Sequence, residues 1–78
     1  MKVLLEEIAE TVCLQFGVEQ ARAEDHFIED LSADSADVLN LVVAIEDRYD
    51  IAIGEEHVAG LRTVDDLYRL TVELVAGR

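Results

Sequence analysis

Apolar residues return at three- and four-residue steps along three stretches of this chain, and each stretch predicts an amphipathic helix. From residue 2 to 16 the inward positions are Leu5, Ile8, Val12 and Phe16, with Leu4 beside them. Glu6, Glu7 and Glu10 take the other side, and Gly17 is placed to end the helix as a C′ residue. The second pattern runs from Ser35 to Tyr49, with Val38, Leu41, Val42, Ile45 and Tyr49 forming the core stripe. Leu39 and Val43 lie toward a second side, among Ala36, Asn40, Glu46 and Asp47. The third pattern follows Thr63, a capping residue, and carries Asp65 and Asp66 in the turn where acids favour the helix dipole. Its inward face is Val64, Leu67, Leu70 or Thr71, and Leu74.

Two connections remain. Gly54 opens a short segment, Glu55 to Gly60, that predicts one or two helical turns. Residues 18 to 33 show no period, and Val18, Phe27, Ile28 and Leu31 are the candidates to anchor them to the core. Strand signals are poor and proline is absent. The pattern therefore predicts an all-α protein, a small bundle of three longer helices and one short one, in a single domain over 1–78. A chain this short buries only ~60% of its unfolded surface. With Phe16, Phe27, Tyr49 and Tyr68 as the aromatics, the core rests on Leu, Val and Ile.

The start of the second pattern carries the candidate chemistry. Asp34 stands as N-cap and Asp37, three residues on, completes a variant of the capping box. Ser35 then occupies the first helical position, with its hydroxyl directed to solvent. The positive end of a helix suits an anion such as a phosphodiester.

The stretch FIEDLSADSADVLNLVVAIEDRYDIAI resembles the corresponding region of acyl carrier proteins, usually worded Phe-hydrophobe-Glu-Asp-Leu-Gly-Ala-Asp-Ser-Leu before an acidic amphipathic helix. Phe27, Glu29, Asp30, Leu31, Ala33, Asp34 and Ser35 match it, as do Asp37, Leu41, Val42, Ala44, Glu46, Asp50, Ile53, Thr63 and Val64. The resemblance implies the acyl-carrier bundle, with 4′-phosphopantetheine held covalently on Ser35 and Asp34 as part of the attachment site. It implies a carrier of acyl groups as thioesters rather than an enzyme, serving fatty-acid, specialised lipid or polyketide synthesis. A phosphopantetheinyl transferase and acyl-transferring and condensing enzymes with basic docking surfaces would be its partners. Ala36, Asp37, Leu39, Asn40, Val43, Glu46, Asp47, Glu55 and Val58 would meet them. Acyl chains would be the cargo, entering where the second and fourth helices part. The Ala-Asp-Ser wording is closer to acyl than to peptidyl or aminoacyl carriers, which tend to have Gly-Gly before Asp-Ser or His-Ser. Ala36 departs from the family leucine, and Asn40 replaces a common glutamate. A carrier-like acidic interaction module that is never modified is the alternative.

Charge agrees with docking. The formal net charge is -12, and from Ala23 to Gly60 eleven acids face the single base Arg48, a net of -10. Such a field repels nucleic acid and anionic membranes and steers basic protein surfaces inward. The acids at the end of the second helix, followed by Glu55 and Glu56, also predict stabilisation by divalent cations beyond that of monovalent salt. Cys13 is the single cysteine and reads as a small packed hydrophobe. His26 and His57 are far apart and belong to no Cys/His cluster, and the acids lack the calcium-loop spacing, so no metal centre is predicted. Ser35 has no His or Lys close in sequence to act as a base, which argues against catalysis. No signal-peptide or transmembrane run is present, and the expectation is a cytoplasmic monomer.

Overall fold

The computed structural model describes residues 2–77 and contains four helices: α1 (Leu5–Phe16), α2 (Ser35–Tyr49), α3 (Glu55–Val58) and α4 (Val64–Ala76). No strand occurs among the described residues; a lone antiparallel bridge joins His26 to Thr63. The three long helices pack on one another around Ile8, Val12, Leu41, Ile45, Val64 and Leu67, all essentially inaccessible to solvent. The predicted stripes are therefore the observed ones. Leu70 and Thr71 are both buried, and the Thr71 hydroxyl is satisfied by donating to the Leu67 carbonyl at 2.7 Å.

The stop signals act as their chemistry requires. Gly17 adopts φ 68°, and its N–H and that of Val18 both return to the Cys13 carbonyl. Thr63 caps α4 in a box with Asp66, each side chain bonding the other's backbone. α1 begins without a side-chain cap, and Leu4 at that position is half out in solvent. Cys13 is half-buried.

The long connection is ordered by tertiary pairing. Phe27 donates its N–H to the Arg62 carbonyl, Val64 to Asp25 and Asp65 to Ala23, at 2.9–3.1 Å. Phe27 is 1% exposed and meets Phe16 edge-to-face, the ring centroids 5.7 Å apart. Leu31 and Val18 are half-buried. Ile28 departs from expectation: it is 52% exposed rather than an anchor. The turn after His26 faces Phe27 inward, which sends its neighbour out. That turn is closed by the His26 ring, whose Nδ1 accepts from the N–H groups of Ile28 and Glu29.

Ser32 takes a left-handed conformation, φ 58°, where the family wording has glycine. A side chain there costs ~1–2 kcal/mol, against the smaller entropic cost of glycine. Ser32→Gly is therefore expected to raise the unfolding free energy by about 0.5–1 kcal/mol. Urea denaturation followed by helical circular dichroism measures it, and a destabilised variant would refute the strain.

Arg48 does not offset the acids around it. Its guanidinium crosses to α1, donating to the Thr11 hydroxyl at 2.8 Å and pairing with Glu7 and Glu10 at 3.6 and 3.5 Å. Tyr49 lies beneath it, and burial pushes the phenol pKa up, Arg48 opposing and Glu7 adding to the shift. The far end of α2 is thereby tied to α1, and its other faces keep their negative charge.

Candidate functional site: the start of α2

Asp34 and Asp37 close the expected capping box. The Asp34 carboxylate accepts from the Asp37 N–H at 2.9 Å, and Asp37 Oδ2 accepts from the Asp34 N–H at 3.1 Å. Both carboxylates take part in holding the helix end. Ser35 follows at the first helical position and is exposed. Ser35 and Ala36 contribute first-turn N–H groups that have no intrahelical acceptor. The fifteen residues of α2 place the positive end of its dipole at this point.

A cleft of about 250 Å³ opens beside the hydroxyl, lined by Ile28, Ser35, Val38, Leu39, Val58 and Leu61. Ile28 thus finds its place as a wall of this cleft. This opening lies between the start of α2 and the segment around α3; a second one, lined by Asp50, Ile51, Ala52, Glu73, Leu74 and Gly77, lies between the end of α2 and α4. The site offers an accessible nucleophilic oxygen, a field favouring a phosphodiester, and an apolar trough alongside. Those features fit a phosphopantetheine ester, which Ser35 would hold with Val38, Leu39 and Val58 lining the trough beside it.

The sequence-predicted docking residues divide into two groups. Leu39 and Val43 are each 54% exposed, and Ala36, Asn40, Asp47 and Glu55 are exposed with them. Asp37 is half-buried within the capping box, and Val58 is half-buried against the core while lining the cleft. Glu46 is half-buried as well, and its Oε2 accepts from the Ile53 N–H at 2.8 Å. Sequence reasoning missed Ile28 and Leu61 as cleft residues. Neither has a periodic signal, because both lie in connections.

Among the described residues, no three His, Cys, Asp or Glu side chains come together to hold a metal ion, and no helix is long and apolar enough to cross a membrane. The His26 ring is engaged in its own turn, and His57 lines a separate cleft with Glu56, Asp66, Arg69 and Glu73.

Comparison with known proteins points the same way. A family model described as a phosphopantetheine attachment site matches residues 6–71. The acyl carrier protein of Wolinella succinogenes is 40% identical over 68 residues, 85% of this chain and 90% of that protein. That of Sulfurovum is 37% identical over 65 residues, 81% of this chain and 87% of the other. The crystal structure of an acyl carrier protein from Thermotoga maritima superposes with a TM-score of 0.80 at 28% identity, covering 94% of this chain and 87% of that one.

Proposed function

The chain belongs to the acyl carrier protein family, whose members bear a covalent 4′-phosphopantetheine, and from that premise we propose that Ser35 is its point of attachment. The observation that carries the proposal is the exposed Ser35 hydroxyl at the head of α2, beside the apolar cleft. Family members are carriers, not catalysts. The arm supplies a terminal thiol that holds an acyl group as a thioester. The chain's own residues present the arm: the capping box fixes the helix end, and the cleft offers Val38, Leu39 and Val58 to whatever apolar group lies along it. A separate transferase would load Ser35 from coenzyme A, the serine oxygen displacing adenosine 3′,5′-diphosphate. Enzymes of fatty-acid, specialised lipid or polyketide synthesis, in the cytoplasm, would then receive the cargo.

Intact mass before and after incubation with coenzyme A and a broad-specificity transferase tests this reading. A gain of one phosphopantetheine is expected. No gain with several transferases would favour an unmodified acidic interaction module.

Docking is assigned to the exposed pair Leu39 and Val43 with Asp47 beside them. Association with a basic partner synthase is expected to slow as salt rises, because the Debye length falls to ~8 Å near physiological ionic strength. Asp47→Lys should slow it further, by about three- to tenfold, through lost steering. Surface plasmon resonance reads both effects. Rates indifferent to salt and to the charge reversal would leave the apolar pair as the whole contact.

A further inference from the structure

Three backbone N–H groups of the turn after α2 converge on one residue. Glu46 accepts from Asp50 and Ile51 with its carbonyl oxygen, and from Ile53 with its carboxylate at 2.8 Å. The turn needs such an anchor: Asp50 leaves the helix in the left-handed conformation, φ 54°, and Ile53 must reach the core, where it is buried. The segment beyond the turn is held at its far end, where Val58 and Leu61 pack half-buried against the core, but weakly at its start. α3 is four residues long, buries none of them fully and begins at Gly54 without a side-chain cap. A continuous set of hydrogen bonds nevertheless runs from it to the cleft: Val58 N–H to the Gly54 carbonyl, then Leu61 N–H to the Val58 carbonyl, each 3.1 Å. Val58 and Leu61 are the cleft wall that faces Ile28 and Leu39 beside Ser35.

We propose that Glu46 is a positioning residue for the site at Ser35, setting α3 and the Val58–Leu61 wall through the Ile53 N–H, rather than a charge offered to partners. A short helix with no fully buried residue and no side-chain cap takes much of its place from the segment that leads into it. Here that segment is held by Ile53 in the core and by the carboxylate that closes the turn. The charge of Glu46 strengthens the bond to Ile53, since an ionised acceptor holds an N–H more tightly than a neutral one. Its half-buried position leaves Asp47, one residue on and exposed, as the docking acid at this end of α2. The proposal rests on the carrier reading only for the use made of the cleft.

Amide hydrogen exchange on the full chain before any modification tests the bond apart from that reading. Glu46→Asp keeps the charge and shortens the reach; Glu46→Gln keeps the reach and an acceptor oxygen while losing the charge. With Asp, exchange at Ile53, Val58 and Leu61 is expected to speed by about tenfold, the size of a lost hydrogen bond to a charged acceptor, while Ile8 and Ile45 stay unchanged. Gln is expected to remain within about threefold of wild type, and Asp47→Asn to change nothing. The methyl resonances of Val58 and Leu61 should move with Asp and stay in place with Gln. The reverse order, Gln loosened and Asp intact, would show that charge alone matters and overturn the positioning role. Unchanged Ile53 exchange in Glu46→Asp would overturn it equally.

Discussion

Ser35→Ala is expected to abolish phosphopantetheine addition completely while leaving the fold intact. The loss is all-or-none because the ester needs a hydroxyl oxygen at that position, and the neighbouring side chains at 34, 36 and 37 carry none. The fold survives because Ser35 is not the cap: Asp34 is, and the Ser35 side chain is exposed. Removing an exposed hydroxyl at the first helical position changes stability by no more than about 0.5 kcal/mol. Intact mass after incubation with coenzyme A and a transferase gives the first result, and urea denaturation the second. A variant that still gains one arm would move the attachment to another residue. Ala36→Leu supplies a companion result, since it adds an apolar side chain next to the accepting oxygen, where the family carries leucine. Loading should quicken if position 36 touches the transferase, and an unchanged rate would refute that contact.

Phe27→Ala is expected to take away most of the stability. A phenylalanine buried as completely as this one costs about 3–5 kcal/mol on truncation, through lost transfer energy and the cavity left behind. At ~0.05–0.15 kcal/mol per residue a domain of this size has only about 4–12 kcal/mol in all. The loss should also be structured. Phe27 packs edge-to-face on Phe16 at the end of α1, and its backbone N–H bonds Arg62 just before α4. Truncation therefore frees the connection that joins both ends of the bundle to the start of α2. Phe27→Leu keeps most of the volume and should cost under about 1.5 kcal/mol. Denaturant titration measures both variants. A cost near zero for the alanine would mean that the segment is held by its backbone pairing alone.

Much of the site was legible because its determinants are local. A capping box is a matter of spacing between Asp34 and Asp37, and it appears wherever those residues precede an apolar period. The position of Ser35 follows from it without reference to the rest of the chain. The exposure of Leu39 and Val43 was equally readable: a 3.6-residue period assigns the core face to Val38, Leu41, Val42 and Ile45 and leaves the other pair outside. The connections were the opposite case. Nothing in the order of residues 18 to 33 tells that Asp25 and Phe27 will pair with Val64 and Arg62, and that pairing decides that Phe27 turns inward and Ile28 outward.

Charged residues show the same division most plainly. Composition and order determined that the middle of the chain is strongly acidic, and the periods determined which helix faces meet the core. Tertiary structure decided where individual charges act: Arg48 reaches Thr11, thirty-seven positions away in sequence, and Glu46 turns to Ile53. Helix periods and caps depend on groups within about one turn of each other, so a linear sequence displays them. A long side chain has several partners within reach, and only the packed neighbours determine which of them it bonds.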